Sequence, residues 1–209
     1  MGNHTGNSGS WRKGVCPGTV LLALFLMAPV SADSDWAEIE ALRQAADRGS
    51  MMDQAVLGNL YLHGTGITQD YQQAFYWIDR AARQGGAFAQ HDLGYMFHNG
   101  YGVPRDYQQA ARWYRKAADQ GFGPSQLGMG VMYALGQGVP QSYVRAHKWA
   151  SLAAVHMDQS AGMYGVDPGQ REAAIRYRDA VAVHMSREEV SEAQRLADAW
   201  QPRSRPQDR

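Results

Sequence analysis

The 209-residue chain has a single cysteine, Cys16, and no surplus of either charge, with 20 lysines and arginines against 20 aspartates and glutamates. One thiol excludes an internal disulfide and a cysteine-based zinc site. Charge balance leaves no broad basic surface of the kind that nucleic acid or an anionic membrane demands. Long apolar runs are scarce too. The one candidate, Val20 to Val30, is shorter than the roughly 20 residues that cross a bilayer; it follows Arg12 and Lys13 and ends at the small-residue site Val30, Ser31, Ala32. This is the pattern of a secretory signal peptide over residues 1–32, cleaved after Ala32. An uncleaved anchor is the alternative. Lipid attachment is not indicated, because Gly6 stands where myristoylation wants Ser or Thr, and Cys16 lacks a lipoprotein signal before it.

Cleavage removes Cys16 and with it any thiol chemistry. It also lowers the 20 basic residues to 18, by Arg12 and Lys13, and leaves all 20 acidic ones, so the mature chain from Asp33 carries a net charge of −2. The expected location is periplasmic or secreted, with no stable membrane span after cleavage and no nucleic-acid partner. Catalytic signatures are equally sparse. No HExxH or G-x-S-x-G motif occurs, and the glycine-rich "GYGVP" lacks the lysine and preceding strand of a phosphate cradle. Of the seven histidines, His91 and His98 sit two helical turns apart, too far for an easy shared zinc without further ligands. No enzyme activity, no cofactor and no metal are expected.

What the chain does have is repetition. "DYQQA" occurs at Asp70 to Ala74 and again at Asp106 to Ala110, thirty-six residues on. In the same frame Gly64 and Gly66 return as Gly100 and Gly102, then as Gly136 and Gly138. Trp77, Trp113 and Trp149 keep the step, as do Leu57–Gly58, Leu93–Gly94 and Met129–Gly130. Three 36-residue units are therefore expected between residues 50 and 157, preceded by a half unit at 33–49 that ends in "AADRG".

Within a unit, Ala74, Trp77, Ile78 and Ala81 fall at i, i+3, i+4 and i+7, the face of an amphipathic helix. Its start is marked by Asp70, Asp106 or Ser142, whose side-chain oxygens suit an N-cap, and its end by Gly85 or Gly121. A shorter helix bearing Leu57, Gly58 and Tyr61 precedes it. The small residues Gly58, Gly94 and Gly130 would let a neighbouring helix approach closely. One such hairpin cannot bury its apolar side alone, but stacked hairpins share a continuous core.

The run "AQHDLGYMFHNGYGVPRDYQQAARWYRKAADQG", Ala89 to Gly121, resembles the Sel-one-like repeat (SLR), a relative of the tetratricopeptide repeat, and the resemblance extends from about Leu42 to Trp200. The middle unit departs from the family pattern at Phe97, where tyrosine is usual, the first has Ile67 for valine, and the third has Ser142 for aspartate. The resemblance implies an all-α, right-handed α/α solenoid. It also implies a non-enzymatic scaffold or adaptor that binds an unidentified protein partner at the bacterial envelope, itself monomeric. A binder of cell-wall glycan or peptide fragments is the alternative.

In solenoids of this kind the first helices line the concave side. At about 100° per residue, Ala55, Asn59 and Leu62 lie opposite Leu57 and Tyr61. The same column continues as His91, Tyr95 and His98, then as Leu127 and Val131. Asn59, Leu62, His91, Tyr95, His98, Leu127 and Val131 are thus the expected partner-binding residues. Beyond the units, residues 158–200 should form a loop and two capping helices. One carries Ala174, Tyr177, Val181 and His184, and the other opens with a Ser186–Glu189 capping box ahead of Val190, Ala193, Ala197 and Trp200. The polar tail, 201–209, should be disordered.

Overall fold

The structure is a computed structural model; it describes residues 32–160 and 169–202, with side chains from 37 to 157 and from 169 to 202. Residues 1–31, where a signal peptide is expected, the loop residues Met163 and Tyr164, and the residues from 203 on lie outside the described residues. Every element among those described is a helix: α1 (Ala32–Asp47), α2 (Met51–His63), α3 (Tyr71–Arg83), α4 (Ala87–Asn99), α5 (Tyr107–Asp119), α6 (Gly123–Leu135), α7 (Tyr143–Ser160), α8 (Gly169–Ala182) and α9 (Arg187–Asp198). The hairpins α2–α3, α4–α5 and α6–α7 stack in chain order through α3 on α4 and α5 on α6. At the ends α1 covers α2, while α8 and α9 both close on α7. The array is an all-α solenoid. In the first two units the first helix is not the shorter one, since α2, α3, α4 and α5 each have 13 residues, whereas in the third α6 has 13 and α7 has 18.

Local chemistry sets these boundaries. Asp70 Oδ1 accepts from the amides of Gln72 (2.8 Å) and Gln73 (3.0 Å), and Asp106 Oδ1 accepts from those of Gln108 and Gln109 at the same distances. The helix-ending glycines Gly64, Gly100 and Gly136 take φ of 69–79°, where a side chain would be strained. Between the paired helices, a Cβ on Gly58 would stand 2.5 Å from Ile78 Cγ1, and one on Gly94 would stand 2.8 Å from Tyr114 Cδ1. Glycine is what allows α2 to touch α3 and α4 to touch α5.

A buried glutamine ladder joins successive units. Gln54, Gln90 and Gln126 donate Nε2 to the carbonyls of Ala46 (2.8 Å), Ala82 (3.2 Å) and Ala118 (3.1 Å). Their Oε1 atoms accept from Gln84 (2.7 Å), Gln120 (2.8 Å) and, in the third unit, His156 Nδ1 (2.9 Å). His156 occupies the column of Gln84 and Gln120, and its Nδ1–H replaces their amide donor. Pairing both ends of a buried amide avoids the roughly 1–3 kcal/mol cost of an unsatisfied group.

The departure at Phe97 has a partner. Arg43 donates to the Tyr61 hydroxyl (2.5 Å), and Arg115 to that of Tyr133 (2.6 Å). In the middle unit the tyrosine is Phe97, and the arginine column facing it, on α3 of the first unit, holds Asp79, which pairs instead with Arg83 at 2.6 Å. The tryptophan column is also uneven. Trp77 and Trp149 are buried, whereas Trp113 is only half-buried beneath the Lys116 ammonium, 3.8 Å from its ring centre. Tyr114 is the buried ring of the middle unit; it fills the space left by Gly94 and Gly128.

Candidate functional site on the first helices

The least buried line along the first helices runs at i, i+4, i+7 and i+11. It comprises Met52, Val56, Asn59 and His63 on α2, then Phe88, Asp92, Tyr95 and Asn99 on α4, then Pro124, Gly128, Val131 and Leu135 on α6. Of the residues expected from the sequence, Asn59, Tyr95 and Val131 lie on this line. His91, His98 and Leu127 lie on its flank, half-buried. Leu62 is a correction: it is 3% exposed and packs in the core cluster with Ala74, Ile78 and Leu93, so it has no surface to offer a partner. The expected face was rotated from the observed one by roughly 60° at 100° per residue.

At the centre of the line a carboxyl is buried. Asp92 is 6% exposed, and Asn59 Nδ2 donates to its Oδ2 at 3.3 Å. Burial pushes the Asp92 carboxyl up to about 7, and the hydrogen bond from Asn59 offsets only part of that. Tyr95, 37% exposed, stands beside it. Its ring meets Tyr101 at 5.7 Å and 62°, and Tyr101 stacks on Tyr71 at 4.6 Å and 7°. Burial, then the neighbouring Tyr101, Tyr71 and Asp92, raise the Tyr95 phenol. Three elements therefore contribute one tyrosine cluster: the start of α3, the middle of α4 and the turn after it.

The two histidines are packing groups. His91 lies 5.3 Å from the rings of both Tyr114 and Phe122, with Nδ1 2.9 Å from Ser125 Oγ. Burial pulls its imidazole down to about 4, so it stays neutral at pH 5.5, and mild acidification does not charge it. His98 meets Tyr107 at 5.2 Å and Tyr114 at 6.5 Å. Burial, and then the nearby Arg105, hold its imidazole below the ordinary value. Among the described residues, no three His, Cys, Asp or Glu side chains converge as a metal site would require.

Asp92, Tyr71 and Tyr101 escaped the sequence reading, although a signal for two of them existed. Asp92 replaces Val56 and Gly128 of the flanking units, and Tyr101 replaces Thr65 and Gln137. Neither column keeps one residue type across the three units, and only the middle unit places a carboxylate and a tyrosine there.

The raised Asp92 carboxyl has a consequence for stability. Because its pKa in the folded chain lies above the ordinary 3.8, folding takes up a proton between about pH 4 and pH 7. Stability from this group is present below pH 4 and is lost as pH rises through 7. Asp92→Asn, which keeps an acceptor for Asn59, is expected to remove that dependence. At pH 8 the variant should be more stable than wild type by up to ~4 kcal/mol, at about 1.36 kcal/mol per pKa unit, with little difference at pH 4. Urea melts at the two pH values check this; equal gaps at both would show that the carboxyl is not held neutral.

The Sel1 repeat model matches residues 53–86, 87–122 and 123–154. Among solved structures, a protective antigen present in uropathogenic Escherichia coli strains and displaying an SLR fold is similar, at 29% identity and a TM-score of 0.65. That likeness covers 78% of this chain and 32% of the antigen, so the chain spans about a third of that protein's length. A Sel1 repeat protein from Oxalobacter formigenes is similar at 26% identity and a TM-score of 0.53, over 67% of this chain and 61% of the other. No curated protein sequence matches. Three matched units in succession show that the chain belongs to the Sel1 repeat family, whose members are generally non-enzymatic scaffolds for protein–protein contacts.

Proposed function

We propose that this protein is a secreted or periplasmic scaffold, monomeric and without catalytic activity, that holds a protein partner on the concave, first-helix side of its array. One observation carries the reading: Tyr95, the exposed ring at the centre of that side, is braced by Tyr101 and Tyr71 beside the buried Asp92. Tyrosine anchors interfaces well because it brings a large contact area at small entropic cost. A carboxyl kept out of water weakens the fold, which fits a residue retained for binding. Asn59 and Val131 extend the contact surface along the same line, while His91, His98 and Leu127 support it from the flank. The contact of three tyrosines also favours a second reading, in which the cluster is a platform for cell-wall glycan or peptide fragments.

The test uses chain recovered from the exported fraction, whose intact mass reports cleavage after Ala32, as bait in an envelope extract. Tyr95→Ala should lower retention of the captured protein more than tenfold and leave the melting temperature within about 2 °C, as for a surface substitution. Tyr76→Ala is the control, because that ring is 49% exposed on a second helix. If Tyr76→Ala removes binding and Tyr95→Ala does not, the partner surface is elsewhere. Binding of purified cell-wall fragments, with no protein captured, selects the second reading.

A further inference from the structure

On the side of the second helices, remote from the tyrosine cluster in sequence and distinct from it in chemistry, cations and rings alternate across three helices. The order is Arg145, Tyr133, Arg115, Trp149, Lys148. Arg145 lies 5.5 Å and Arg115 5.8 Å from the Tyr133 ring centre; Arg115 lies 4.9 Å and Lys148 4.9 Å from that of Trp149. Arg115 also donates to the Tyr133 hydroxyl at 2.6 Å. Both rings are buried, so the charged heads form the outer layer. Arg112, three residues before Arg115 on α5, adds an exposed cation on the same side.

Among the described residues this charge is only partly offset, by Asp119 acting on Lys148. No ion pair with a described carboxylate holds Arg115, Arg145 or Lys148. Arg115 and Arg145 both act against the Lys148 ammonium, after burial, and Asp119 alone favours it. The first unit shows how the same architecture neutralises itself: the column of Arg115 there holds Asp79, which pairs with Arg83. Rings beneath the cations stabilise them but leave the Lys148 ammonium, the Arg145 fork and the N–H groups of Arg115 not given to Tyr133 to meet an anion.

We propose that Arg115, Arg145 and Lys148 form a docking surface for a short acidic segment of a protein partner, one carrying two or three closely spaced carboxylates. Guanidinium forks match carboxylates in geometry. The rings lie under the cations rather than beyond them, so the patch has no apolar wedge to enter a bilayer. The chain as a whole is charge-balanced, which gives it no long-range pull toward a membrane or nucleic acid. A local cluster of three cations on a neutral molecule fits a local anion.

The test is fluorescence anisotropy of labelled hexaglutamate with the full chain. Wild type should bind, and binding should weaken steeply between low and physiological salt. Arg145→Gln with Lys148→Gln should lose at least tenfold in affinity, whereas Arg145→Lys with Lys148→Arg, which keeps both charges, should retain it. Arg80→Gln, at the cation that lies over Tyr76 and Trp77, should bind as wild type. The proposal is overturned if wild type ignores hexaglutamate, if the neutralised variant binds as well as wild type, or if the charge-retaining pair loses affinity as far as the neutralised one. Preference for phosphatidylglycerol vesicles or duplex DNA over the peptide overturns it too.

Discussion

Trp149→Ala should lower the melting temperature by roughly 10 °C or more, while Trp113→Ala, one repeat earlier in the same column, should lower it by only a few degrees. Trp149 is 1% exposed. It packs with Tyr114, Met129, Met132, Tyr133 and Ala146, in a cluster that draws on the second unit, the third unit and the closing helices. Trp200 meets it edge-on at 6.4 Å. Deleting such a ring typically costs about 3–5 kcal/mol, and each kcal/mol moves the melting point of a chain this size by about 2–4 °C. Trp113 is half-buried and packs on the edge of the cluster around Ile78 and Leu93, beneath Lys116, so truncating it opens a smaller void. Thermal melts of the two variants decide the ranking, and similar losses at both positions would show that the two rings are equally committed to the core.

The second glycine of each turn offers a comparable contrast. Gly66, Gly102 and Gly138 share almost one conformation, with φ of 72°, 69° and 68°, so alanine at any of them carries a similar backbone penalty of about 1–2 kcal/mol. Their surroundings differ. A Cβ on Gly138 would stand 2.0 Å from the Tyr107 carbonyl oxygen, and one on Gly102 would stand 2.2 Å from that of Tyr71, while one on Gly66 meets nothing within 4 Å. The obstructing atoms are backbone at the start of the preceding unit's second helix, and they cannot swing aside. Relief requires the units to part, which would also strain the bond from Gln72 Nε2 to the Gly102 carbonyl, now 3.0 Å. Gly102→Ala and Gly138→Ala are therefore expected to cost upwards of ~3 kcal/mol, in the range of strained or overpacked sites, against ~1–2 for Gly66→Ala. Chemical denaturation of all three variants measures it. Equal costs would mean that the turns do not touch the neighbouring unit.

The repeat period and the helix ends were legible because their causes are local. An aspartate caps the amides two and three residues on, a glycine turns the chain where φ must be positive, and apolar spacing of three and four residues writes a helix. The thirty-six-residue step then requires stacking, since a lone hairpin cannot cover its own apolar side. The Ser186–Glu189 capping box, also read from spacing, closes in both directions.

The rotational setting of the first helices had no such local cause. α2 is contacted by α1, α3 and α4, so apolar residues occupy most of its circumference and no polar stripe marks the open side. That is why Leu62 looked available when Ile78 and Leu93 in fact enclose it. The candidate site itself joins Asn59, Tyr71, Asp92, Tyr95 and Tyr101 from two units, and the burial that raises Asp92 belongs to its neighbours rather than to its own helix. The ladder from Arg145 to Lys148 likewise spans α5, α6 and α7. The unit and its period are written in the recurrence of the chain itself, and the helix ends follow from contacts within a few residues. Which ring is core, which glycine tolerates no side chain and which side chains share a surface emerge from the packed array, because burial and charge at these positions are set by residues of neighbouring helices and units.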